Sequence, residues 1–146
     1  MSAAIGITHF DHLDGTPACR LALRGQWETA AAVGADEVGL HYSFSAILAS
    51  VDGEPVGVIV WDDQPKQGRI WLQLGYVVPE WRGRGVYSRL WIELTQKARE
   101  LKRSAIWSAT GTGNATMRAV AKAQGRREVA VSLRYDVPPS TDEARA

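Results

Sequence analysis

Arg82, Gly83, Arg84 and Gly85 are the residues whose type and spacing point most directly to chemistry, because they stand where one backbone pattern gives way to another. Before them, Leu74, Tyr76, Val77 and Val78 form an apolar, β-branched run of strand type, and Pro79 ends it because its ring has no N–H for a ladder. After them, Val86 opens a helical pattern with Tyr87, Leu90, Trp91, Leu94, Ala98 and Leu101 on one face. Glycine at such a junction permits positive φ and close approach of a ligand. The first N–H groups of the helix lack internal partners and favour an anion. Framed by two arginines, the loop is suited to cradle a phosphate or pyrophosphate. An ordinary solvated strand-to-helix turn would use the same residues, and local physics alone weights the two readings equally.

The 146 residues suffice for one domain with a real core, and the apolar fraction of 45% with 23% charged residues is that of a soluble globular protein. No apolar run reaches the length of a membrane span and the N-terminus has no signal-peptide pattern, so a cytoplasmic location without membrane contact is the expectation. The single Cys19 suggests neither disulfide, thiolate zinc site nor redox pair, and reads as a small packed residue on a helix. No bound metal is expected. The net charge of +1 conceals a polarity: Arg82 to Arg127 holds 11 basic residues against Glu93 and Glu100, while the rest of the chain is acidic. A basic segment of this kind attracts a polyanion and an acidic one a cationic ligand. Lys97, Arg99, Lys102 and Arg103 also suit the C-terminal end of a helix.

The elements that must position the loop follow from pattern. Ile5 to Phe10 reads as a first strand. Thr16-Pro17 starts a helix that Gly25 should stop, and Gln26 to Val33 makes a second with Gly34 as terminator, followed by an acidic loop over Ala35 to Leu40. Ser43 to Val51 and Val56 to Trp61 flank an Asp52-Gly53-Glu54-Pro55 hairpin turn, and Arg69 to Val78 follows the connection Asp62 to Gly68 as the third strand of an antiparallel meander. The helix Val86 to Leu101 leads to Ala105 to Ala109, a strand set parallel to the preceding one through a crossover. After Gly111, Thr112 and Gly113, Asn114 can cap a helix that Gly125 ends, and Glu128 to Val137 should close the sheet, leaving 138–146 as a disordered tail.

This order of elements and its two loops resemble the GNAT acetyltransferase superfamily, over about Ser43 to Val137. VVPEWRGRGVY is similar to the family's acyl-CoA signature of Arg or Gln, two residues, Gly, one residue, then Gly or Ala. Arg82 and Gly85 match it, and Tyr87 places a ring where the family has a small residue. NATMRAVAKAQGR resembles the family's later helix, from Asn114 to Gly125, with Arg126 in place of the usual aromatic. The resemblance implies one α+β or α/β domain over 1–137: a mixed, mostly antiparallel sheet, a parallel crossover around the acyl-CoA loop, and helices on both faces.

It implies further that the backbone from Arg82 through Gly83, Arg84, Gly85 and Val86 to Tyr87 binds the pyrophosphate of acetyl-CoA. Tyr76, Val77 and Val78 would meet the pantetheine arm and the thioester carbonyl beside a bulge, for which Gly75 is the expected position. Asn114 would contact the pantetheine or act as a plain helix cap. The activity implied is N-acyl transfer, most simply acetyl, to a primary amine on a small molecule or peptide, and a homodimer stays open. The family's usual acid and tyrosine are absent: Gln73 remains as a water-holding residue, Ala121 takes the tyrosine position, and no general base stands out among Asp62, Asp63, Glu80, His41 and Tyr135. Trp27 and Tyr42 suit an acceptor pocket, while Trp61, Trp71, Trp91 and Trp107 suit packing. Two other readings stay open, a noncatalytic CoA-binding or sensory module and, less favoured, a nucleic-acid binder using the basic segment.

Overall fold

In the computed structural model, which describes residues 4–33 and 39–140, the sheet is a meander followed by one crossover. Strand β1 (Gly6–Phe10) precedes helix α1 (Pro17–Val33). Then come β2 (Ser45–Val51), β3 (Glu54–Gln64), β4 (Arg69–Val77), helix α2 (Val86–Glu100), β5 (Ala105–Ser108) and helix α3 (Ala115–Ala123). The strands lie in the order β1-β2-β3-β4-β5, antiparallel except for the parallel β4–β5 pair. The expected mixed sheet and crossover are therefore present. The β2–β3 hairpin turns at Asp52 (φ 50°) and Gly53 (φ 80°), the left-handed pair of a type I′ turn.

Both faces of the sheet centre are covered, which explains why Ala46–Ala49 and Val56–Trp61 are continuous buried runs. Tyr76 meets α1 while its neighbour Gly75 meets α2, and successive strand residues point to opposite faces, so the two helices lie on opposite sides. Val86, Leu90, Leu94 and Ala98 form the buried stripe of α2, and Ala18, Leu21 and Ala22 are buried on α1.

The two early helices expected on either side of Gly25 are one. Gly25 lies buried inside α1, where an added Cβ would fall 2.7 Å from Tyr76 Cβ, so its smallness brings helix and strand together and does not end the helix. Thr16 donates its hydroxyl to Leu13 O at 2.7 Å, and Pro17 occupies the first helical position as expected. Gly34 and most of the expected acidic loop lie outside the described residues. Strand β3 continues to Gln64, past its expected end at Trp61, because Asp62, Asp63 and Gln64 still pair with β4.

The chain divides after Asn114 into two units, Met1–Asn114 and Ala115–Ala146. In the second, α3 ends near Gly125 (φ 80°), and Arg126 N–H returns to Ala121 O at 2.9 Å. The expected final strand over Glu128 to Val137 does not form. Its alternation is real, but Val129, Val131, Leu133, Tyr135 and Val137 are all exposed, and without a ladder partner a strand-like pattern makes no strand. No helix among the described residues is long and apolar enough to cross a membrane.

Candidate functional site

The end of β4 is fixed by Val78, whose N–H donates to Val56 O at 2.9 Å, after which Pro79–Trp81 forms a single tight turn. Two left-handed residues, Gly83 (φ 74°) and Gly85 (φ 83°), then turn the chain into α2. Gly85 is the N-cap, and no side chain caps the helix, so its first-turn N–H groups point into the loop without the usual hydroxyl or carboxylate. A Cβ on either glycine would meet nothing within 4 Å. The loop thus presents backbone donors to open space, at the positive end of a helix of fifteen residues.

Among the described residues, one edge of β4 is open beside it. The parallel ladder to β5 runs from Arg69↔Ala105 to Leu72↔Ser108 and stops there, while pairing with β3 continues to Val77. Because Val78 donates to Val56, the alternation of an antiparallel ladder directs Tyr76 and Leu74 toward β3, and Gly75 and Val77 toward the open edge. Of the three expected carbonyl-binding residues, Val77 therefore presents its backbone to the gap, whereas Tyr76 and Val78 are paired inward. The bulge lies at Gln73, not at Gly75: Leu74 faces Val60 and Leu72 faces Trp61, leaving Gln73 as the extra residue. Gly75 has another role. An added Cβ would sit 2.5 Å from the Tyr87 ring, so the ring that departs from the family signature lies over Gly75.

Neither arginine of the loop extends freely. Arg82 Nε donates to Val77 O at 2.9 Å and its terminal nitrogen to Glu28 Oε2 at 3.1 Å, while Arg84 lies over the Trp81 ring at 4.9 Å. Glu28, on α1, also accepts the Tyr76 hydroxyl at 2.7 Å. That hydrogen bond, with Arg82 adding to it, holds the Glu28 carboxyl below its ordinary range against the opposing effect of burial. Burial, reinforced by the bond to Glu28, pushes Tyr76 up to about 12. Glu28 was not legible as a site residue, since 54 positions separate it from Arg82 and no local pattern links them. Asn114 donates its side-chain amide to Thr110 Oγ1 at 3.2 Å, one residue before α3 begins.

The candidate proton acceptors separate by location. Asp63 makes a two-pronged pair with Arg103, at 2.7 and 2.9 Å. His41 Nδ1 accepts the Ser43 N–H at 3.2 Å and lies 2.6 Å from the Ser43 hydroxyl. Glu80 is exposed in the Pro79–Trp81 turn, and Tyr135 lies in the second unit. Asp62 is half-buried on β3. Gln73 accepts the Trp71 indole N–H at 2.7 Å. Trp27 and Tyr42, expected to line an acceptor pocket, are 77% and 66% exposed. In the basic segment, Arg82, Arg89, Lys97, Arg103 and Arg118 each have a carboxylate partner, so much of its charge is neutralised locally.

A family model described as the acetyltransferase (GNAT) family matches residues 16–125. No curated protein sequence matches the chain. Among solved structures, the chain is similar to the aminoglycoside N-acetyltransferase AAC(6')-Iy in complex with CoA, at 18% identity and a TM-score of 0.68 over 94% of this chain and 97% of that one. It is also similar to the aminoglycoside acetyltransferase HMB0005 from an uncultured soil metagenomic sample, at 19% identity and a TM-score of 0.69 over 94% and 99%. A third is the ribosomal-protein-alanine N-acetyltransferase from Brucella melitensis biovar Abortus 2308, at 22% identity and a TM-score of 0.65 over 94% and 100%. At these identities the structural likeness establishes a shared fold.

Proposed function

Because the chain belongs to the GNAT acetyltransferase family, we propose that it transfers an acyl group, most simply acetyl, from acetyl-CoA to a primary amine of a small molecule or peptide. One observation carries this reading: an open strand edge and an uncapped helix N-terminus lie one short loop apart, matching a carrier with a diphosphate at one end and a thioester at the other.

The N–H groups from Arg82 to Tyr87 would hold the diphosphate, with Gly83 and Gly85 keeping that surface free of side chains. Glu28 and the Val77 carbonyl keep Arg82 turned inward, so its part is to shape the loop. Acetyl-CoA supplies the acyl group already activated as a thioester. The open-edge N–H groups of Gly75 and Val77 are the donors placed to meet charge developing on the thioester oxygen. Asn114, in the connection between β5 and α3, would steady the arm.

The direct test is calorimetry with acetyl-CoA, followed by a panel of amines monitored for release of free thiol. Binding together with amine-dependent thiol release supports the reading. Binding without release under any amine favours a noncatalytic CoA-binding module, and RNA binding indifferent to CoA would replace it altogether.

A further inference from the structure

We infer that Asp62 is the anchor for a second ammonium group of the acceptor, so that the substrate class is compounds with two or more amines. This inference rests on the acyltransferase reading above and adds the acceptor to it.

The position follows from register. Tyr76 lies on the α1 side of the sheet and pairs with Val58; two and four residues along β3, Val60 and Asp62 lie on that same side. Asp62 pairs with Trp71, so carboxylate and indole are cross-strand neighbours on one face. Trp71 in turn binds Gln73, the bulged residue beside the opening of β4. Asp62 thus belongs to the strip that begins at the open edge.

The rest of that strip is already satisfied. Arg69 lies over both Trp107, at 4.8 Å, and Trp71, at 5.6 Å, and its Nε donates to Gln64 at 2.7 Å. Of the other acids of the sheet, Asp63 is on the opposite face with Arg103, and Glu54 is in the hairpin. Glu28, across on α1, is held by Tyr76 and Arg82. Neither Asp62 nor Glu54 has a hydrogen bond or ion pair among the described residues, but Glu54 is exposed to water whereas Asp62 is half-buried. A partly desolvated carboxylate without a partner is stabilised by a cation brought from outside.

Distance decides which amine it takes. Asp62 is three residues beyond Ile59, the partner of Gly75, which is about 10 Å along the strand. That is too far for the nitrogen attacking at the open edge and suits a second amine of the same molecule. Arg69, itself a cation, closes the strip beyond Trp71, so the ammonium would meet Asp62 from the Gln73 side. The carboxylate thereby selects the acceptor and orients it, leaving the reacting amine free to lose its proton to solvent.

The test compares a linear diamine with the monoamine of equal length, using wild type, Asp62→Asn and Asp62→Glu. For the diamine, Asp62→Asn should raise KM on the order of 10- to 100-fold, the scale of a lost charge-assisted hydrogen bond, and Asp62→Glu should restore part of it. The monoamine should lose little, and the calorimetric affinity for acetyl-CoA should stay unchanged in all three. Equal use of both acceptors by wild type, or an equal loss on both in Asp62→Asn, overturns the inference while the acyltransferase reading stands. Failure of wild type to bind acetyl-CoA overturns that reading, and the inference with it.

Discussion

The Tyr76 hydroxyl and Glu28 Oε1 lie 2.7 Å apart, joining the end of β4 to the C-terminal half of α1, and Arg82 reaches the other oxygen of the same carboxylate at 3.1 Å. Helix α1, strand β4 and the glycine loop therefore share one ionic hub. With Gly25 one turn away and packed on Tyr76, α1 is located relative to the loop by both contact and charge.

The hub makes stability depend on pH in two directions. Glu28 is shifted down, so its contribution is complete above the ordinary carboxylate range and is lost as pH falls through its lowered folded value. Tyr76 is shifted up, so its contribution is complete below about 10 and is lost as pH rises toward about 12. The Glu28 side chain is 40% exposed, and solvent screening limits the acid effect to less than about 1 kcal/mol. Urea midpoints followed against pH should show this acid dependence flattened in Glu28→Gln; an unchanged profile would remove the hub.

Gly25→Ala sets helix propensity against packing. Alanine gains about 1 kcal/mol in a helix interior, but its Cβ would fall 2.7 Å from Tyr76 Cβ, and overpacking costs about 1–3 kcal/mol. The contact should win and the melting temperature should fall. A rise would mean that α1 can slide away from β4.

Gly75 and Tyr87 should be coupled. Gly75→Ala drives a Cβ to 2.5 Å from the Tyr87 ring, whereas in a Tyr87→Ala background that space is empty. Each single variant should destabilise, and the double variant should be more stable than the sum predicts by at least about 0.5 kcal/mol. Additivity in a double-mutant cycle would show that the ring does not rest on Gly75.

Much of this architecture was legible because it is written in local patterns. The apolar runs of β2, β3 and β4, the Asp52-Gly53 turn and the stripe of α2 each carry their own periodicity. What misled were residues whose meaning is set across the fold. Gly25 has the form of a helix stop and acts as a contact surface for Tyr76, and Glu128 to Val137 alternates like a strand but has no ladder among the described residues. In the site, the loop glycines were legible because positive φ is a demand of the chain itself. Glycine, a usual marker of a bulge, points to Gly75, yet pairing places the bulge at Gln73. Asp62 could not be separated from Asp63 by sequence; only the alternation of faces, and Arg103 on one of them, divides the two.

Whether the glycine loop seats the diphosphate is read by calorimetric titration of acetyl-CoA into wild type and Gly85→Asp. Aspartate tolerates the left-handed backbone better than most residues, and its Cβ would point into open space, so the variant should keep its fold, as checked by its melting curve. It places a negative charge against the N-terminus of α2, where the diphosphate would rest. Wild type should bind, and the variant should lose at least about tenfold in affinity, equivalent to about 1.4 kcal/mol. Equal affinity in two folded proteins, or none in wild type, would contradict that seating.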